Sequence, residues 1–148
     1  MSAPTATARQ VVMLRIGTET FAIDAGIVRE IIDPIPSTRV AGARPHLAHV
    51  VNVRGNVVPL ADIRRRFGMP PAEATRDTRF VVIEVAIEDE PVMVALVADK
   101  VFEVTEIEAG HHRPVPKVGS SWRPDFVRSL LKCGDNFVIV PELEAILA

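Results

Sequence analysis

The sequence predicts a mainly β protein made of two related small-barrel lobes. Short strands recur at regular spacing with many turns and little helical period. A polar, proline-containing stretch, Met69 to Thr78 (MPPAEATRDT), separates two apolar regions and makes the best connection between lobes. The two halves also resemble each other: FAIDAGIVREI from Phe21 matches VALVADKVFEV from Val94, and VNVRGNVVPLADI from Val51 matches LLKCGDNFVIVPELEAI from Leu130. Small barrels are favoured over open sheets because closing a sheet removes its exposed edges.

Taken in order, Met1 to Ala8 has no basic start and no apolar run, so it reads as a loose tail, extended here to residues 1–10, rather than a secretory signal. Val11 to Ile16 and Thr20 to Ile23 are strands around a Gly17-Thr18-Glu19 turn. Ala25 to Ile32 has helical spacing after a cap at Asp24, and Pro34 and Pro36 end it. Thr38 to Ala41 is a short extended piece, and Ala43 to Ala48 a turn or short helix. Val50 to Arg54 and Val57 to Leu60 then form a tight hairpin around Gly55-Asn56, which suits a type II′ turn with Gly first. Alternation puts Val51 and Val53 on the packed face, and Asn52 and Arg54 on the other. Asp62 is expected to cap a short helix whose last turn holds Arg64, Arg65 and Arg66, with Gly68 and Pro70 stopping it.

In the second half, Phe80 to Ile87 and Val92 to Ala98 pair around the acidic turn Glu88-Asp89-Glu90-Pro91, and Val101 to Ile107 continues as extended chain after Asp99. Glu108 to Asp125, with three prolines and no sustained period, is a long surface connection. A short helix is expected at Pro124 to Arg128. Leu143 to Leu147 closes the chain as a helix, with Glu142 and Glu144 in its first turn.

Composition narrows the chemistry. A chain of 148 residues can bury about 70% of its unfolded surface without staples. A net charge of -2, with 24% charged residues and a pI near 6.1, gives no overall basic field for nucleic acid or an anionic membrane. The lone Cys133 has no internal disulfide partner and fits a reducing, cytosolic compartment. The longest apolar run, Val92 to Ala98, falls far short of the roughly 20 residues of a membrane helix.

Candidate catalytic groups are few. Ser120, Ser121, His112 and Asp125 share one proline-rich loop but lack a nucleophile elbow. His46, His49, His111, His112 and Cys133 could be imagined as zinc ligands, but three segments would have to converge. Glu88, Asp89 and Glu90 read more simply as a hydrated turn than as an acid-base pair. Arg64 to Arg66 could mark a nucleic-acid patch but read more simply as cations favoured at a helix end, and Phe21, Phe80, Phe102, Phe126 and Phe137 as core residues. Arg54 stands apart: its planar fork, held at a tight turn, suits a partner carboxylate or carbonyl, or equally an internal ion pair.

Asn52-Val53-Arg54-Gly55, Val57-Val58-Pro59-Leu60, Asp62 and Arg64 to Gly68, in that order and spacing, resemble the core pattern of the CheW family, the coupling proteins of bacterial chemosensory arrays. The resemblance runs from about Val11 to Leu147. It implies one domain over residues 11–148, made of two five-stranded SH3-like barrel lobes with a groove between, approximately 11–68 with closing elements from the C-terminus, and 79–148. It implies a non-catalytic adaptor, with no cofactor and no metal, that joins the cytoplasmic hairpin tip of a chemoreceptor to the regulatory domain of the histidine kinase CheA, and that can join further CheW copies in rings.

By the same resemblance, Val28, Glu30, Arg54, Ala95 and Val104 are receptor-binding, and Asn52, Arg54 and Gly55 are kinase-binding. The expected location is cytoplasmic, recruited to membrane-associated arrays without insertion. His49 and Ala95 stand where the family often has Gly, which allows altered receptor preference or a role in a twitching-motility system. The readings from other classes are a metal-dependent hydrolase and a small-barrel module binding a ligand or nucleic acid.

Overall fold

The computed structural model describes residues 8–108, 112–114 and 124–148. Twelve strands are found among them: β1 (Ala8–Ile16), β2 (Glu19–Asp24), β3 (Val28–Ile32), β4 (Ser37–Arg39), β5 (His49–Val53), β6 (Asn56–Ala61), β7 (Arg79–Ile87), β8 (Glu90–Ala98), β9 (Lys100–Glu108), β10 (His112–Arg113), β11 (Val127–Cys133) and β12 (Asn136–Pro141). One short helix, α1 (Leu143–Leu147), and several 3-10 turns complete the described chain. The protein is mainly β and two-lobed, as expected, but with two six-stranded sheets where five strands each were anticipated. The sixth strands include very short ones, β4 of three residues and β10 of two.

The first sheet has the order β10-β11-β12-β2-β1-β9 and the second β3-β7-β8-β6-β5-β4. Read from its other end, the second sheet matches the first strand for strand, each partner six places away in the chain. Each sheet contains one parallel pairing, Ile139 with Phe21 in the first and Leu60 with Ala95 in the second. The backbone repeats this: Asp62 N–H donates to His46 O at 3.0 Å, and Glu142 N–H donates to Phe126 O at 2.8 Å, each residue shifted by 80 positions. The internal repeat read from the sequence is therefore a structural one.

The strands do not divide at Met69–Thr78. The second sheet takes the chain from Val28 to Ala98, and the first takes the segments on either side. The division at 68 and 79 was drawn from a polar stretch, but that stretch connects two strands of one sheet, β6 and β7.

Burial on both faces explains why several strands show no clean alternation. Leu14, Ile16, Phe21 and Ile23 of the first sheet meet Val81, Ile83, Val94 and Leu96 of the second in one shared cluster. Intervening residues face outward into a smaller cluster for each sheet, with Phe80, Val82 and Ala95 joining Val51, Val53 and Val58, and Val11 and Ala22 joining Ile107, Leu131 and Val138. A strand buried on both faces loses its polar half-period.

Three local expectations are corrected. Ala25–Ile32 is a 3-10 turn (Ala25–Ile27) followed by β3, not a helix. The Asp24 cap is present, its Oδ1 accepting from Gly26 N–H at 2.9 Å, but Val28, Ile31 and Ile32 are β-branched and find β7 as a partner. The tail is shorter than residues 1–10, because Ala8, Arg9 and Gln10 pair with β9; residues 1–7 lie outside those described. Phe102 and Phe137 are 46% and 53% exposed, whereas Phe21, Phe80 and Phe126 are buried as expected.

Candidate interaction site at the Arg54 hairpin

The β5–β6 register pairs Val53 with Asn56, so the two-residue loop is Arg54-Gly55, one position earlier than expected. Both residues have positive φ, 51° and 85°, which corresponds to a type I′ turn instead of type II′. Gly55 adopts that conformation without penalty, whereas Arg54 is a non-glycine residue held in it. Asn52 supports the loop: its Oδ1 accepts from Gly55 N–H at 2.9 Å. The turn aims Arg54 away from the sheet, with its side chain 78% exposed.

Glu30 on β3 meets it. Arg54 Nε donates to Glu30 Oε2 at 2.9 Å and Oε1 at 3.2 Å, and this hydrogen bond raises the guanidinium pKa further. The two open readings of Arg54 are therefore compatible. Nε is engaged by Glu30, yet most of the fork remains in solvent. A pair this exposed contributes little stability, because water and salt screen it.

The structure brings together Asn52, Arg54, Gly55 and Glu30. Val28 opens β3 and packs, half-buried, against the shared core. Val104 stands on β9 of the other sheet, opposite Val12, and is 56% exposed. Ala95 does not belong to any surface. It is fully buried on β8, paired with Val82 and Leu60, so it is corrected from a binding residue to a core residue. A small residue there lets two strands and a cluster close around it.

The arginine run is more than favourable charge at a helix end, since two of its members bond within the fold. Arg64 is buried, with Nη2 donating to Asp99 Oδ1 at 2.6 Å and Nε to Asp62 Oδ1 at 3.2 Å. Asp62 makes no side-chain cap to the following 3-10 turn (Ile63–Arg65); its carboxylate serves Arg64 instead. Burial opposes the charge on Arg64, but Asp99 and then Asp62 outweigh it and raise its pKa. Burial likewise opposes charge on Asp99, and bonds from Arg64 and from Gly17 N–H, at 2.7 Å, hold it below the usual carboxylate value. Gly17 is required at that turn, having φ of +64° and Met69 Sδ 2.6 Å from where a Cβ would stand.

Arg66 reaches the other way. It donates to Ile146 O and Ala145 O at 2.9 and 3.2 Å and lies 4.7 Å over the Phe126 ring, which ties α1 to the hairpin region. Sequence spacing alone could not distinguish these three arginines.

Among the described residues no cluster of three or more His, Cys, Asp or Glu side chains could hold a metal ion. His112 Nδ1 lies 2.8 Å from Ser129 Oγ, while Ser120, Ser121 and His111 lie outside the described residues. No helix of the described chain is long and apolar enough to cross a membrane.

Among the described residues the fold and this hairpin define a β scaffold that presents an exposed arginine, rather than a pocket of reactive groups. Residues 10–148 match the CheW-like domain. The chain belongs to the CheW-like family, the non-catalytic scaffold proteins of chemotaxis. It is 29% identical over 95% of its length to a probable chemotaxis protein CheW of Rhizobium etli, covering 88% of that protein. It is 30% identical to chemotaxis protein CheW of Helicobacter pylori over 89% of this chain and 77% of that one. The crystal structure of the scaffolding protein TtCheW from Thermoanaerobacter tengcongensis superimposes with a TM-score of 0.81 at 24% identity, over 93% of this chain and 91% of that one, and so shares its fold.

Proposed function

We propose that this chain is a cytoplasmic adaptor that couples the hairpin tip of a chemoreceptor to the regulatory domain of the histidine kinase CheA. The observation that carries the reading is Arg54, an exposed guanidinium that Asn52, Gly55 and Glu30 hold at a left-handed turn position. A fork fixed in this way loses little rotamer freedom on meeting a carboxylate or carbonyl. Val28, Glu30 and Arg54 form the receptor side on one lobe, with Val104 the corresponding apolar contact on the other. Asn52, Arg54 and Gly55 also face the kinase. The coupling works by position: a receptor shift that favours one bound pose over another reaches the kinase as a free-energy difference of about 1 to 3 kcal/mol.

Calorimetric titration of the chain with the regulatory domain of a CheA kinase from the same cell, and separately with a receptor hairpin fragment, tests this. Saturable binding that Arg54→Ala weakens about tenfold or more supports it. Binding to neither partner would remove the adaptor reading.

A further inference from the structure

We propose that the cleft between β4, the Pro45–Leu47 turn and β6 is a binding site for a small phosphate-bearing anion, with Arg39 and Arg65 as its cationic ligands. The cleft has a volume of about 460 Å³, within the range of small-molecule sites. Arg39 from β4 and Arg65 from the turn after β6 both line it, and His46 and His49 contribute imidazoles. Among the described residues neither arginine is in an ion pair, although seven pairs engage other arginines.

The acid of the cleft, Asp62, accepts from Arg64 Nε at 3.2 Å and forms no ion pair with Arg39 or Arg65. Arginine forks match phosphate oxygens two at a time, which chloride, a single atom, cannot reproduce.

Two further observations point to a ligand. His46 is 3% exposed in the wall of this cleft, and although the Ala148 backbone lies near its ring, its buried Nε2 makes no hydrogen bond of ordinary geometry among the described residues. Buried polar atoms are nearly always satisfied, so an unpartnered one beside a cationic cleft needs a reason. The internal repeat supplies the second. Leu60 and Asp62 line this cleft, and their counterparts 80 positions on, Val140 and Glu142, line one between the two sheets whose other charged residues are Asp24, Glu84, Glu144 and Arg128. The fold alone therefore does not make the cleft cationic; this lobe's sequence does.

The site is independent of the Arg54 surface, so the test needs neither chemotaxis partner. The full chain is titrated with inorganic pyrophosphate at low ionic strength, by calorimetry and by NMR of the histidine side chains. Saturable binding is expected, with shifts at His46 and His49. The exposed pair Arg39→Ala with Arg65→Ala should weaken it about tenfold or more, while Arg76→Ala, an exposed arginine outside the cleft, leaves it unchanged. No saturation at millimolar pyrophosphate would overturn the proposal. Equal binding in the double variant, or equally tight binding of a hexaglutamate peptide, would overturn it as well.

Discussion

Single residues carry the sharpest consequences. Arg64 and Asp99 form a buried ion pair at 2.6 Å, and removing one partner strands the other. Asp99→Ala should cost about 3 kcal/mol or more in urea unfolding, with part of the loss recovered by adding Arg64→Met. Acid should also destabilise the fold in two stages. His46 is held below the ordinary imidazole value of 6.5, first by burial and then by Arg66 and Arg44, while the backbone of Ala148 works in the opposite direction. Because its folded value is the lower one, its contribution is complete above 6.5 and is lost as the pH falls toward that folded value. Asp99, also depressed, keeps its contribution above 3.8 and loses it only as the pH falls further. Urea midpoints taken from roughly pH 7.5 down to 5 should fall, and His46→Gln should flatten that slope. The exposed place of Arg54 at a tight hairpin was legible in the sequence, because Gly55 and the β-branched runs on either side mark the turn. Ala95 was not, since an alanine carries no sign of which face of its strand is covered.

Elements depend on contacts that local pattern does not reveal. Ala25–Ile32 has helical spacing, yet Val28, Ile31 and Ile32 meet β7 and become an edge strand. The hairpins were legible because β-branched runs and turn residues mark them, although Arg54-Gly55 is the loop instead of Gly55-Asn56. Helix α1 was also legible, but not what holds it. Its five residues are too few for stability alone, and Arg66 supplies two hydrogen bonds to its carbonyls. Arg66→Ala should cost about 2 kcal/mol and raise amide exchange across Leu143–Leu147 before the rest of the chain.

On the scale of the whole molecule, two copies of one six-strand pattern share a single core. Ile83→Ala, at a fully buried position of that core, should cost about 3 kcal/mol, and both sheets should still unfold in one transition. The repeat was legible because its turns, prolines and strands recur; the exchange of strands between halves was not, because sequence order does not report which sheet a strand joins. The same scale bears on the proposed adaptor role, since two sheets that share one core would keep Arg54 in one place relative to both proposed partners. The most direct measurement is calorimetric titration of the CheA regulatory domain with the native chain and with Arg54→Asn, which places Asn-Gly in the type I′ turn that favours it. The adaptor account predicts an unchanged or higher melting temperature together with an affinity lower by about tenfold or more. Equal affinity with a stable fold would contradict it.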